Sequence, residues 1–490
     1  MIGLRSKAVV CAIACGTVAL AQNEDDALRY SVPVPGGGAR AWGLAGAMGA
    51  VGADPAAASI NPAGFGLYNT SELSLSLGLE VNDAQASFMG TSTGAGRQRM
   101  SVNNLALVFH FNKSSGDWHG GTFGLSYDRR ASFQWKEQAN GDRVPGTFLE
   151  QFAMEANGTP YTDLENGSLP FTAGLAWYTY GIDTVPGTND QYLPGIPSGT
   201  DTRQEHTIDA SGRMGTTSFY YAANYKDRLY IGAALGITGT RYERYTTHEE
   251  RPLDDAVALR TVHFKEDLLT TGNGFDLKVG AIGRVGSHVR LGAAFHTPMW
   301  LLLNDSYSYT MTTTFTGSSD PLQEVSPDGT FSYRVTTPWS ATLSAVYQAG
   351  KYGLVSVDYT YSDPRNARLR ASRSLLDQYD YGTENEAIKA SFRPMHTVRA
   401  GTEWRAGSWY FRVGGAWRPD PYAKADTRHG TGYRQYGGGV GYRVTHWSFD
   451  LGGTWGLRNG KYYTYSPILV NPVEARYTDL RMLFTVAWRP

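Results

Sequence analysis

Between Ser71 and Val81 the chain reads SELSLSLGLEV, and Leu73, Leu75, Leu77, Leu79 and Val81 alternate with Glu72, Ser74, Ser76, Gly78 and Glu80. A period of two with one oily face predicts a strand, with Glu72 and Glu80 on its polar, inward side. Roughly ten residues is the length a tilted strand needs to cross a bilayer. Leu105, Leu107, Phe109 and Phe111 repeat the pattern, as do Phe123, Leu125 and Tyr127. Followed to its end, the alternation predicts about fourteen strands, near 71–81, 101–112, 120–136, 215–226, 228–246, 258–284, 288–316, 329–348, 352–371, 395–406, 408–419, 433–445, 447–459 and 475–489.

The connections alternate in length. Lys226-Asp227-Arg228 and the segments 284–288, 348–352, 405–409 and 444–447 read as tight turns, whereas 82–100, 137–214, 247–257, 317–328, 372–394 and 460–474 are long and polar. Short turns on one side and long loops on the other mark an outer-membrane barrel. The expected fold is therefore all-β, a transmembrane antiparallel β-barrel with short periplasmic turns and long extracellular loops. Trp409 and Trp447 flank tight turns, and Tyr230, Tyr352 and Tyr442 lie near others, as an interfacial girdle requires. Aromatic residues are also good strand formers, so both reasons apply.

The insertion 137–214 is too long for an ordinary loop. It holds an apolar cluster at Phe148, Leu149, Phe152 and Met154, then PFTAGLAWYTYGID, whose Phe171, Trp177, Tyr178 and Tyr180 suit a short helix. Phe148, Phe152, Phe171, Trp177, Tyr178 and Tyr180 are thus candidates for capturing an apolar ligand. The other reading is a self-packed cap over the barrel mouth.

Composition changes the picture at the N-terminus. Arg5 and Lys7, the apolar run from Ala8 to Leu20 and the sequence Ala19-Leu20-Ala21 describe a cleaved secretory signal peptide over 1–21. Both cysteines, Cys11 and Cys15, fall inside it, so the mature chain is expected to carry no disulfide and no thiolate metal site. Without Arg5 and Lys7 the 44 basic residues fall to 42 against 45 acidic, a net charge of −3 that argues against a nucleic-acid binder. From Gly36 to Gly66 the chain is nearly all glycine and alanine, with Gly43, Gly46, Gly49 and Gly52 at every third residue. That spacing leaves a bare stripe on a helical turn. The segment is either a flexible linker or something that must sit inside a container, where small residues permit close approach. The strands downstream favour a plug over 22–70, inside a barrel over 71–490.

Nothing in the sequence reads as an active site. Gly90 to Gly94 spells G-x-S-x-G, but between two barrel strands rather than on the strand-to-helix turn that a nucleophile elbow needs. The histidines show no ligand spacing, Glu249-Glu250 and Asp254-Asp255 suit solvated charge, and no cofactor or metal is expected. Two prolines stand inside neighbouring strands at similar height, Pro298 after Thr297 and Pro338 after Thr337. Each removes a ladder donor, so the pair marks either a lateral seam or the level where the ladder leaves the membrane.

GGGARAWGLAGAMGAVGADPAAASINPAGFGLY resembles the N-terminal hatch of FadL-type outer-membrane transporters, including Asn61-Pro62-Ala63 just before the first strand. Gly272 to Pro298, with GFDLKVGAIGR and VRLGAAFHTP, is similar to paired mid-barrel strands of that family, and the long insertion resembles its Bacteroidota branch. The resemblance implies a fourteen-stranded barrel that passively takes up hydrophobic molecules, with long-chain fatty acids as the type ligand. It implies capture by outer loops, a hatch shift and sideways exit. It places Asn61, Pro62 and Ala63 at the hatch–wall contact and makes Arg40 and Asp54 partners of the lumen charges Glu72 or Glu80. Expected partners are a hydrophobic small molecule and the lipid and lipopolysaccharide around a monomeric barrel. Two other readings remain open: a non-transporting barrel that docks secreted proteins, and a surface receptor or adhesin.

Overall fold

The computed structural model describes residues 24–32, 34–113, 116–372 and 379–490; the signal peptide expected over 1–21 lies outside them. Fourteen antiparallel strands close into a barrel. They are β1 (Glu72–Phe88), β2 (Thr91–Asn112), β3 (Trp118–Ser132, continuing as Trp135–Pro145), β4 (Asp201–Tyr225), β5 (Leu229–Pro252), β6 (Leu259–Val285) and β7 (Val289–His296, then Trp300–Phe315). The ring continues through β8 (Gly329–Thr336, then Ser340–Ala349), β9 (Gly353–Ser362, then Arg368–Ala371), β10 (Met395–Ala406), β11 (Trp409–Arg418), β12 (Tyr433–Arg443), β13 (Trp447–Tyr462) and β14 (Val473–Trp488). The ring closes where Leu73 to Ser87 of β1 pair with Trp488 to Glu474 of β14.

The tight turns stand where expected, all at one rim. At the β4–β5 hairpin Lys226 and Asp227 take φ of 54° and 53°, the left-handed pair whose twist suits a two-stranded connection. One expected loop is absent. Residues 82–100 are the ends of β1 and β2, paired from Asn82↔Arg97 to Phe88↔Thr91 around a turn at Met89-Gly90. The stretch was illegible as strand because Thr, Ser and Gly fill it and neither face is oily. The G-x-S-x-G sequence is therefore a hairpin tip running into a strand.

The walls are unequal. Strands β4, β5 and β6 run 25, 24 and 27 residues, whereas β10, β11 and β12 run 12, 10 and 11. At about 3.3 Å per residue, the tall wall stands more than twice as high as the short one. Its excess carries the insertion, where α3 (Leu149–Ala156), α4 (Tyr161–Glu165) and α5 (Ala173–Tyr178) fold over the barrel end. α1 (Glu24–Ser31) and α2 (Ala39–Gly43) precede the barrel in the chain, and α6 (Gly382–Ser391) follows β9.

Outside the lower barrel Leu73, Leu75, Phe109, Phe123, Phe219, Ile231, Leu235, Ile237, Leu277 and Val279 are exposed, while Ser74, Ser76, Thr122, Ser126, Ser218, Thr238, Asp276 and Lys278 are buried inside. A band that is apolar without and polar within is the surface of a membrane-spanning barrel. Trp118, Tyr352, Trp409, Trp447 and Trp488 are exposed near the short-turn rim, as a girdle requires. Tyr230 is the exception, facing inward and buried.

Candidate functional site

The segment from Val34 to Tyr68 is almost wholly buried, and its partners come from strands all round the ring. Gly37 N–H donates to Asp128 of β3 at 2.7 Å, Ala39 N–H to Thr485 of β14 at 2.8 Å, and Gly49 N–H to Asp358 of β9 at 2.9 Å. Wall groups donate in return, Arg130 of β3 to the Val34 carbonyl at 3.0 Å and Arg290 of β7 to that of Val51 at 2.8 Å. A polar lumen lining meets the exposed backbone of a glycine-rich segment. That is how irregular backbone becomes tolerable away from water.

Arg40 anchors the segment to the short wall. Its Nε and Nη2 both lie 2.9 Å from the Glu403 carboxylate of β10, a bidentate fork, and its Nη1 lies 3.8 Å from Asp54. Glu403 also accepts from Arg412 of β11, whose Nη1 reaches Asp450 of β13, both at 2.5 Å. The lumen partner of Arg40 is therefore Glu403, not Glu72 or Glu80. Those two face inward as the alternation predicts but are satisfied elsewhere: Glu72 accepts from Arg489 at 2.7 Å and Glu80 from the Ser132 hydroxyl. Glu403 lies 363 residues from Arg40, and no local spacing points to it.

Asn61-Pro62-Ala63 lies against the tall wall. Asn61 caps the short 3-10 helix Pro62–Leu67 by accepting from Ala63 N–H, and its Nδ2 donates to Gly49 O at 2.7 Å and Ala281 O of β6 at 3.3 Å. A Cβ on Gly232 of β5 would come within 2.5 Å of the Pro62 carbonyl oxygen. Close approach thus uses glycines of the wall. The expected helical glycine stripe does not form, because helix ends at Gly43 and Gly46 and Gly52 sit at φ of 79° and 67° as turn residues.

The aromatic cluster of the insertion is mostly interior. Phe148 and Phe152 are buried and pack on Phe264 of β6, with Phe148 also touching His248 and Tyr465. Phe171 and Trp177 pack against the same core, and Tyr178 and Tyr180 alone of the six are exposed. Four of the six thus pack into a cap over the barrel end, and Tyr178 and Tyr180 remain at its surface. What the cap leaves open is a cleft of about 350 Å³ that includes Pro170, Leu175, Tyr178, Val325 and Pro327 in its lining. Beneath Phe148 the Glu250 carboxylate accepts from Thr147, Phe148 N–H and Gln204 at 3.0 to 3.2 Å. Burial pushes Glu250 up to about 7 against the pull of those donors, and pushes the neighbouring His206 down to about 4. Both stand beyond the apolar band.

The prolines do not leave an open seam. Thr297 N–H donates to Leu277 O at 2.9 Å while its Oγ1 accepts from Leu277 N–H at 3.0 Å. Thr337 closes the same two-bond ring with Met299, and Ser326, before Pro327, closes it with Tyr309. A hydroxyl-bearing residue before each proline completes the ladder across the break. The wall is interrupted elsewhere. Pairing between β2 and β3 ends at Asn104↔Asp128, although β2 continues to Thr91 along β1 and β3 continues to Pro145 along β4. Above that level the hairpin and β3 overlap face to face like shingles, joined by side chains such as Asn82 to Gln134 O at 2.7 Å and Glu80 to Ser132. Both strands break their alternation at that level: Ser76 of β1 faces Asn104 of β2 but Leu77 faces Val102, so Asn103 is an extra residue, and Asn103 and Asn104 are both buried. β3 has a matching register shift between Arg129 and Ala131.

No family model and no curated protein sequence matches the chain. Solved structures do. A FadL homologue from Pseudomonas aeruginosa aligns at TM-score 0.54 with 16% identity, over 94% of this chain and 99% of that one. The toluene transporter TodX of Pseudomonas putida aligns at TM-score 0.50 with 13% identity, over 93% and 98%. At such identities the likeness is one of fold, and it runs the length of the chain: this protein has the fourteen-stranded FadL-type barrel fold.

Proposed function

We propose that the chain is an outer-membrane channel for passive entry of hydrophobic small molecules, exported by cleavage of the leader over 1–21 and working as a monomer. The short-turn rim faces the periplasm and the capped rim faces outward. The segment 34–68 is the plug, with Arg40–Asp54–Glu403 as its latch on one side and Asn61-Pro62-Ala63 as its seat on the other. Molecules collect in the cleft beside Tyr178, descend past the cap, and leave sideways into the bilayer through the β2–β3 overlap. Long-chain fatty acids are one such ligand, and the toluene carried by TodX is another in kind.

The observation that carries this reading is the pairing that stops at Asn104↔Asp128 in a barrel otherwise closed and filled. A filled lumen offers no straight path, whereas side-chain contacts between overlapping strands part at less cost than a backbone ladder. Cells lacking or carrying the gene are compared for uptake of labelled toluene and oleate, together with an Asn61→Ala, Pro62→Gly variant. Uptake tenfold higher with the gene, and altered in the variant, is expected. Equal uptake of every apolar compound with and without the gene would overturn the proposal.

A further inference from the structure

The overlap between the β1–β2 hairpin and β3 holds a group that neither the fold nor the plug accounts for. Arg129, on the outer face of β3, is 5% exposed because the hairpin covers it. Its Nη2 makes two long contacts, to Ser132 Oγ at 3.3 Å and to Gly212 O at 3.4 Å, and its Nε has no partner among the described residues. Among those residues no carboxylate pairs with it directly. Glu80 reaches it only through the shared Ser132 hydroxyl. A guanidinium offers five N–H donors, and burying it so poorly satisfied is costly unless an anion completes the site.

The surroundings deepen the deficit of negative charge. Arg99, on the inner face of the hairpin, and Arg213, on the outer face of β4 beside Ser132, are both exposed and both within electrostatic reach of Arg129. Outside the wall, an open groove of about 490 Å³ has Tyr127, Arg213, Ile237 and Arg241 in its lining. Ile237 is the top of the apolar band on β5, and Arg241 stands four residues higher. Arg241 is held by Glu243, so the groove offers hydrocarbon contact below and the Arg213 guanidinium above, at the level where a bilayer passes from chain to headgroup.

We propose that the β2–β3 overlap is a binding site for the anionic head, carboxylate or phosphate, of an amphiphile whose chain lies against Ile237. Arg129 is the inner ligand, Arg99 and Arg213 flank it, and Glu80 competes with the incoming anion. The site rests on the reading of the overlap as the exit. It adds that the exit senses charge, so a carboxylate amphiphile is held there more tightly than its neutral counterpart.

Purified protein in neutral detergent is titrated with oleate and with oleyl alcohol, and the ratio of the two affinities is compared in wild type, Arg129→Gln, Arg129→Lys and Glu80→Gln. Heat-modifiable migration checks that each variant is folded. Wild type is expected to prefer oleate at least tenfold, Arg129→Gln to lose that preference, Arg129→Lys to recover part of it and Glu80→Gln to increase it. Native mass spectrometry of the same variants with lipid A separates the sources. Arg129-dependent retention of lipid A without an oleate preference assigns the site to envelope lipid, and an oleate preference assigns it to the transported molecule. Equal affinity for oleate and alcohol in wild type, with lipid A retention indifferent to Arg129, would overturn the site. Uptake of neutral toluene would then still test the channel by itself.

Discussion

Strand β6 carries two opposite interiors on one unbroken alternation. In its lower half Phe275, Leu277 and Val279 point out and are exposed, while Asp276 and Lys278 point in and are buried. In its upper half the inward residues Val262, Phe264 and Leu268 are buried and apolar, with Glu266 among them paired to Arg244 at 3.5 Å, and the outward ones are His263, Lys265 and Asp267. Parity never changes; polarity inverts. Below the inversion the solvent outside is hydrocarbon and the interior is the hydrogen-bonded segment 34–68. Above it the outside is water and the interior is the dry aromatic core under α3 and α5. The inversion is therefore where the membrane ends, and the two halves of the lumen are held by different forces.

Substitutions that ignore this difference should fail in characteristic ways. The largest effect is expected for Glu403→Ala, which removes the carboxylate that Arg40 and Arg412 share and leaves them Asp54 and Asp450 alone in the buried network of the lower lumen. A cost of about 3–5 kcal/mol is expected, read as a lower denaturant midpoint and faster proteolysis of the segment 34–68. Next is Leu277→Arg on the hydrocarbon face, at about 2–4 kcal/mol, against a negligible change for His263→Arg on the same outward face above the inversion. Equal costs for the two would erase the proposed boundary. Gly232→Ala pushes a methyl group against the Pro62 carbonyl and should cost about 1–3 kcal/mol, seen as a loosened plug with an intact cap.

The smallest effect is one of pH on the cap. Glu250 is raised from 4.5 to about 7, so the folded cap binds the extra proton across that window and loses stability as pH rises through it. His206 is lowered from 6.5 to about 4, so it takes stability away as pH falls through that window. Glu250→Gln removes the carboxylate limb and leaves the histidine one, to which the buried His248 adds in the same direction. Protease protection of residues 146–200 in that variant should rise from pH 4 to 6.5, a rise that in wild type the Glu250 loss offsets between pH 4.5 and 7.

What was legible in the sequence follows the same physics. A face against hydrocarbon must be apolar at every second residue, so Leu73 to Val81 and Leu105 to Phe111 announced their strands. A turn with two left-handed residues is short and local, so Lys226-Asp227 announced the rim. Glu72 and Glu80 could be placed inward by alternation alone, yet their partners Arg489 and Ser132 could not, because those contacts cross the ring. The hairpin over 82–100 stayed hidden because neither of its faces meets hydrocarbon. The prolines misled in the opposite sense: Thr297 and Thr337 restore what Pro298 and Pro338 remove, a compensation visible only once the facing strand is known. The end of β2–β3 pairing is marked by bulges at Asn103 and between Arg129 and Ala131, which show only once the facing strands are known.

The most direct measurement locks each candidate seam in turn. The chain's two cysteines, Cys11 and Cys15, lie in the expected leader, so introduced pairs stand alone in the mature protein. Glu80→Cys with Ser132→Cys, whose side chains touch across the overlap, joined by a reducible bifunctional linker, ties the hairpin to β3. Phe295→Cys with Ala341→Cys, which face each other across β7 and β8 just below the prolines, is tied in the same way. Toluene uptake is then followed with the linker intact and after reduction. The account predicts at least a tenfold, reversible loss for the hairpin–β3 lock and undiminished uptake for the lock below the prolines. Full uptake through the locked β2–β3 overlap would contradict it.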